Sequence, residues 1–292
     1  MIRKLTSSEY KQVLKEIGVS YLGSFNQSAK MQLNGKNGVI TYSIYLAPWT
    51  LASTNDLHIN TCPGGKNCKD FCLNESGHNK ADVLVHGRYQ SRINQARIKK
   101  TRFFYTNREA FMLALIYELE SAMRYAERRD MGFSVRLNCT SDISPLAFKI
   151  GGMNILELYP DVIFYDYTKV KNRYTLVEQY PNYYLTFSYD GYNWDDCVDF
   201  LNRGINIAVV FESRVVPVAW RGYSVIDMTK SDLRYLDAQN KSGCGFVGYL
   251  EFHRPASSYK GGKYERPNTP FVIMEDDPEI TYAFKMGKST DE

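Results

Sequence analysis

Short runs of β-branched and aromatic residues alternate with runs of helical period through most of this chain. Residues 7–17 carry the first helical pattern, with Ser7 or Ser8 as its cap and Gly18 as its stop. Val39 to Ala47 (VITYSIYLA) predicts the first strand, ended by Pro48. A polar loop follows, then helical stretches over 81–100 and 107–129. In the second, Phe111, Leu115, Leu119 and Ala122 share a face, and Asn107 suits the cap position.

Beyond residue 130 the period switches repeatedly. Strands are predicted at Phe133 to Cys139, Asp161 to Tyr167, Tyr183 to Ser188, Asn206 to Phe211, Ser224 to Met228 and Gly245 to Phe252. Helical segments at 145–158, 172–179 and 194–203 separate the first four. Residues 255–268 read as a loop or flap, and 275–292 as a polar tail. Strands separated by helices imply right-handed βαβ units and a mostly parallel sheet. The expected fold class is α/β, a partial or complete (β/α) barrel, with an open doubly wound sheet as second choice. Its expected divisions are an N-terminal extension (1–38), the barrel (39–254), and a basic loop with an acidic tail (255–292).

Composition narrows this little. The chain has 292 residues, 44% apolar and 23% charged, enough to bury a core without disulfides. Disordered, collagen-like and coiled-coil classes are excluded. The 36 basic and 32 acidic residues give a net charge of +4, too mild to mark a nucleic-acid binder by bulk charge. The most apolar windows, Phe111 to Leu119 and Ile205 to Phe211, fall short of the roughly 18–20 residues of a membrane span. The N-terminus has no apolar signal-peptide core. The expectation is a cytoplasmic protein with no membrane partner.

The six cysteines change the picture more. Cys62, Cys68 and Cys72 cluster, whereas Cys139, Cys197 and Cys244 are scattered and read as packing residues. In a reducing compartment a cysteine cluster points to metal. The Cys-x5-Cys-x3-Cys spacing lies directly after the first strand, and Pro63, Gly64 and Gly65 allow a tight fold. Three thiolates suit zinc or an iron–sulfur centre. Structural zinc takes four protein ligands, so His78 or His58 would have to join. A cluster with one open iron needs only the three. Cysteines without metal are the plain alternative.

In parallel α/β folds ligands gather at the carboxyl ends of the strands. The cysteine loop starts there, and so do Ser141, Asp142, Lys169, Ser188, Asp190 and Glu212, at or just past predicted strand ends. Asp227 and Asp232 read instead as turn and cap residues, and His253 as an ordinary loop histidine.

A three-cysteine loop after the first strand, followed by repeated βα units, resembles the radical S-adenosylmethionine (SAM) enzymes. Those usually carry Cys-x3-Cys-x2-Cys. A nearer resemblance is to the bacteriophage family named for gene product 88, and a more distant one to another phage family of radical-SAM-like three-cysteine proteins. It is carried by Cys62-Pro63-Gly64, Cys68 and Cys72, by Val135-Arg136-Leu137 with Ser141-Asp142, and by Phe164-Tyr165-Asp166-Tyr167-Thr168-Lys169. Leu185-Thr186-Phe187-Ser188 and the segment Ile226-Asp227 to Lys230-Ser231-Asp232-Leu233-Arg234 complete it. The resemblance implies a radical-SAM-like partial barrel with a 4Fe-4S cluster on the three cysteines. It implies SAM as cofactor, an electron donor as partner, and chemistry through a 5′-deoxyadenosyl radical in the host cytoplasm. Asp142 or Ser141 would then hold the amino group of SAM, and Lys169 its carboxylate or a substrate phosphate. Ser188, Asp190 or Glu212 would take the ribose hydroxyls. Cys139-Thr140-Ser141-Asp142 stands where such enzymes often carry a Gly-Gly-Glu-type segment, and the usual glycine-rich signature of the fifth strand is replaced by Ala208-Val209-Val210-Phe211-Glu212.

A basic stretch suggests a partner. Val83 to Arg108 holds no acidic residue, and Arg88, Arg92, Arg97, Lys99, Lys100 and Arg102 are interleaved with Tyr89, Phe103, Phe104 and Tyr105. Such a stripe suits a polyphosphate backbone with stacked bases, and hence a nucleotide or nucleic acid. A second basic segment runs from Arg254 to Arg266. The competing readings are a radical-SAM-like enzyme, a zinc-stabilised nucleic-acid binder, and a non-catalytic barrel serving as an interaction protein.

Overall fold

The runs of β-branched and aromatic residues become strands in a computed structural model that describes residues 2–25, 28–66, 68, 72, 83–85, 88–238, 243–252, 259–260, 263–264 and 268–283. The elements are α1 (Ser7–Ile17), β1 (Gly23–Ser24), α2 (Ala29–Lys36), β2 (Val39–Ile44), α3 (Arg92–Thr106), α4 (Arg108–Glu127) and β3 (Gly132–Arg136). Then come α5 (Ile155–Leu158), β4 (Ile163–Thr168), α6 (Tyr174–Gln179), β5 (Tyr183–Ser188), α7 (Trp194–Asn202) and β6 (Ile207–Phe211). The chain continues with β7 (Ala219–Trp220), β8 (Tyr223–Asp227), β9 (Val247–Glu251), β10 (Val272–Ile273) and β11 (Ile280–Thr281).

These strands make one mixed sheet in the order β1-β2-β3-β4-β5-β6-β9-β8-β7-β11, with β10 also paired to β6. From β2 to β8 every pairing along that path is parallel. The antiparallel pairings are at the two ends, β1 on β2 and the β8-β7-β11 meander. The path is open among the described residues, so the fold is mixed α/β with a large, unclosed sheet. Residues 23–24, 29–36 and 272–281 contribute to this assembly from outside the span 39–254.

Three differences from the sequence reading have local causes. The helix predicted from residue 81 begins at Arg92, because Ser91 accepts the backbone N–H of Asn94 as its cap; a short hairpin, Val83–Val85 with Arg88–Gln90, precedes it. The helix predicted over 145–158 is interrupted by Gly151 and Gly152, both left-handed. What remains is a 3₁₀ turn, a small hairpin and the single turn α5. Helix α2, capped by Ser28, was not predicted; it is short and weakly patterned.

The two faces of the sheet differ in chemistry. Tyr42, Val135, Phe164, Tyr183, Phe187, Val209 and Val247 share one face and join the main core with Phe111 and Leu115 of α4 and Phe200 of α7. The other face is polar: Thr41, Ser43, Ser134, Arg136, Tyr165 and Thr186 lie on it, and all are buried. Parallel strands covered on both sides usually read as unbroken apolar runs. Here α2 and the segment 228–236 cover the polar face with polar groups of their own. Asn34 donates to Thr41 Oγ1 at 2.9 Å and to the Tyr165 hydroxyl at 3.3 Å, and Thr41 is 2.9 Å from Ser134.

On the apolar side one charged group fixes the N-terminal elements. The buried Glu118 carboxylate accepts from the Tyr10 hydroxyl (2.6 Å), the Leu22 and Gly23 backbone N–H groups (2.7 and 2.9 Å) and the Tyr42 hydroxyl. It thereby links α1, β1 and β2 to α4. Glu118→Gln replaces an acceptor oxygen by a donor facing donors. It should cost about 2–4 kcal/mol, read as a lower midpoint in urea unfolding.

Candidate metal and ligand site at the carboxyl rim

The cysteine loop is folded down onto the rim by hydrogen bonds. After β2 the chain loops out and returns at Thr61, whose hydroxyl donates to Ala47 O at 2.6 Å and whose N–H donates to Trp49 O. The Asp142 N–H donates to Thr61 O at 2.7 Å, tying this loop to the one after β3. Gly65 N–H closes a turn on Cys62 O. Gly64 lies against the backbone at Lys169: a β-carbon there would stand 2.4 Å from Lys169 O, so only glycine fits.

Cys62 and Cys68 are neighbours. A β-carbon on Gly65 would stand 3.3 Å from Cys62 Cβ and 3.6 Å from Cys68 Sγ. Cys62 Sγ accepts the Trp49 N–H at 3.3 Å, and burial pushes its thiol up from the ordinary value. Cys68 packs against Phe252, Phe271 and Val272. Among the described residues no three His, Cys, Asp or Glu side chains form a group that could share a metal ion, so the half-buried Cys72 completes no such triad here. The chemistry of the donor set, three thiols in one loop, still suits a soft metal centre. His58 is exposed, and His78 and His253 lie outside the described residues.

The expected rim residues have different fates. Asp142 is buried and occupied: it accepts from Arg173 Nη1 (2.5 Å), Thr168 Oγ1 (2.8 Å) and the Lys169 N–H (2.9 Å). It clamps the β3 and β4 ends together. Ser141 donates to Asn138 Oδ1. Asp190 forms an Asx turn, accepting from the N–H groups of Tyr192 and Asn193. Glu212 is buried beside β10. Lys169 remains on the rim, its ammonium 5.7 Å from the centroid of Phe271. Ser188, half-buried on the polar face, ends β5.

The sheet opens at this place. β5 pairs with β6 at Phe187–Ile207 and Ser188–Ala208, and then β10 takes over as partner of Val210 and Phe211. The half-buried Tyr167, Ser188 and Val210 lie on the polar face there.

Asp232 was read as a cap and is something else. Only 1% exposed, it is the anion of the polar face, 2.7 Å from Arg136 Nη1 and 3.3 Å from Lys30 Nζ, with the Tyr165 hydroxyl at 3.4 Å. Those cations hold its carboxyl below the usual range despite burial. Asp166, also missed, accepts from the N–H and side-chain amide of Asn138, and burial pushes it up to about 6. Both lie in segments that carry the resemblance, but nothing local to either residue assigns its partners. Asp227 does form the expected turn, accepting from Thr229.

The basic stretch does not form one exposed stripe. Arg92 and Lys99 are exposed, but Arg97 and Lys100 are buried. Lys100 Nζ donates to Leu22 O at 2.8 Å, and Arg102 donates to Ala52 O and Ser53 O. The side chains of Arg88 and of 254–266 lie outside the described residues. The five described basic residues of this stretch are thus divided between surface and interior, because α3 packs one flank of its basic face on the loops around it.

The fold and rim define a mixed α/β protein with its functional candidates at the carboxyl ends of parallel strands. The family model described as gene product 88 matches residues 23–253, and the chain belongs to that family. No curated protein and no solved structure matches it. No helix among the described residues is long and apolar enough to cross a membrane.

Burial pulls Lys100 down to about 8, with the Glu118 charge opposing this and Arg97 adding to it. An unfolded lysine stays protonated to its ordinary 10.5, so between these values the unfolded chain binds more protons and stability rises with pH. From pH 8 to 9.5 the rise should be about 2 kcal/mol. Urea midpoints of Lys100→Met should lack this slope.

Proposed function

We propose that the chain is an iron–sulfur enzyme of radical-SAM-like type on a partial (β/α) barrel, acting on a nucleotide or nucleic acid. The observation that supports this is the meeting of Cys62 and Cys68 on the rim of parallel strands, beside the opening of the polar face. A cluster on Cys62, Cys68 and Cys72, with SAM at its open iron, would supply a one-electron reduction and a hydrogen-abstracting radical.

The chain's own residues would bind and shield. Lys169, with no carboxylate in ion-pair range among the described residues, faces the negative charge of cofactor or substrate. Phe252, Phe271 and Val272 exclude water beside Cys68. The Asp142–Arg173 pair and Gly64 hold the loop in register with β4. Ser188 offers a hydroxyl from the polar face. The burial of Arg97 and Lys100 favours this reading over a zinc-stabilised module gripping nucleic acid along α3.

Anaerobically prepared protein is expected to be brown, with iron and acid-labile sulfide in similar amounts. The colour should be absent when Cys62, Cys68 and Cys72 are all replaced by Ala. SAM and reductant should yield 5′-deoxyadenosine. Zinc in place of iron would make the protein a zinc-stabilised binder, and a brown protein that never cleaves SAM would be a non-catalytic barrel.

A further inference from the structure

The polar face carries buried donors that nothing accepts. Arg136 Nε and the Tyr167 hydroxyl are buried without a hydrogen-bond partner among the described residues, and so is Arg234 Nε. These groups belong together. The Arg136 guanidinium lies over the Tyr167 ring, 4.6 Å from its centroid. Arg234 exerts the strongest charge effect on the Tyr167 phenol, followed by Asp232, Lys30 and Arg136.

Arg136 Nη1 holds Asp232, and Arg234 Nη2 donates to the carbonyls of Met228 and Ser231. Arg234 Nη1 is 3.1 Å from Asp237 Oδ2, but neither atom completes a hydrogen bond among the described residues. What is left over is the Nε–H edge of two guanidiniums and one phenol. Arg136 and Arg234 are paired with Asp232 and Asp237, Arg136 is also felt by Asp166, and the Lys30 side chain is partly exposed, so the charges are close to balanced. The unmet donors on two guanidiniums nevertheless favour an acceptor that carries negative charge over a neutral water.

We propose that Arg136, Arg234 and Tyr167 form an oxyanion site that holds a phosphate or carboxylate group of the substrate on the polar face. Planar guanidinium edges and a hydroxyl are suited to oxygens carrying negative charge. The site gives the reading above a substrate handle: Arg136 ends β3, and three residues further on Cys139 begins the loop whose Thr140 O is 3.9 Å from Cys62 Sγ. The proposal rests on that reading only for the word substrate. Anion binding needs neither cluster nor SAM.

The test is calorimetric titration of the full chain with inorganic phosphate and, separately, acetate, against chloride at matched ionic strength. Phosphate or acetate should bind, and Tyr167→Phe should weaken binding at least about fivefold, the loss of one charge-assisted hydrogen bond. The variant's urea midpoint without anion should be unchanged or higher, because a buried unpaired hydroxyl is removed. Binding of phosphate alone names a phosphoryl group as the handle, and binding of acetate names a carboxylate. If neither binds beyond chloride, or if Tyr167→Phe binds as tightly as the parent, the site is refuted. Should the variant fail to fold, the arginine Nε–H resonances of the unaltered protein decide: two buried signals must shift with the anion, and unmoved signals refute the proposal. A colourless, metal-free protein that still binds phosphate would sink the cluster and leave this site standing.

Discussion

The ion pair between Arg136 and Asp232 joins parts of the sheet that share no backbone hydrogen bonds. Arg136 ends β3, near one edge, whereas Asp232 follows β8, near the other. The chain after β8 therefore crosses the polar face and docks on α2, β3 and β4 through Lys30, Asn34, Arg136 and Tyr165. A buried pair of this kind gains little over apolar packing, but losing one partner leaves a buried charge exposed to no counter-ion and typically costs about 3–5 kcal/mol. Its value lies in geometry. It fixes where the segment 228–236 sits, and that segment closes one end of the polar face.

Much of the parallel sheet was legible because each strand is a short β-branched or aromatic run ended by a polar or glycine residue. Tyr183–Ser188 and the helix from Trp194 lie where the sequence puts them. The failures concern residues whose role depends on distant partners. Asp232 carries every local sign of a turn, and its partner is 96 residues away. Glu118 looks like a surface acid of an amphipathic helix, until Tyr10, Leu22, Gly23 and Tyr42 arrive from the N-terminal segment. Arg97 and Lys100 read as a solvated face because spacing alone does not tell which flank of α3 is packed.

The candidate site divides in the same way. That the cysteine loop would stand on the carboxyl rim follows from strand order, and Gly64 shows why its tight turn is glycine. That Asp142 would be used up by Arg173 does not follow, since Arg173 lies in the next connection. The buried polar face was not read from the sequence, because a parallel sheet covered on both sides gives no reason to expect a polar side.

The pairing of β10 with the outer half of β6 has a temporal consequence. Val272 and Ile273 are joined to a strand made some sixty residues earlier, so this part of the rim has high contact order and forms late. During synthesis the central strands and the cysteine loop emerge well before the piece that walls them in at Cys68. Any inorganic centre delivered to that loop would meet an unroofed cradle first, and its enclosure would wait until residues 271–273 had been made.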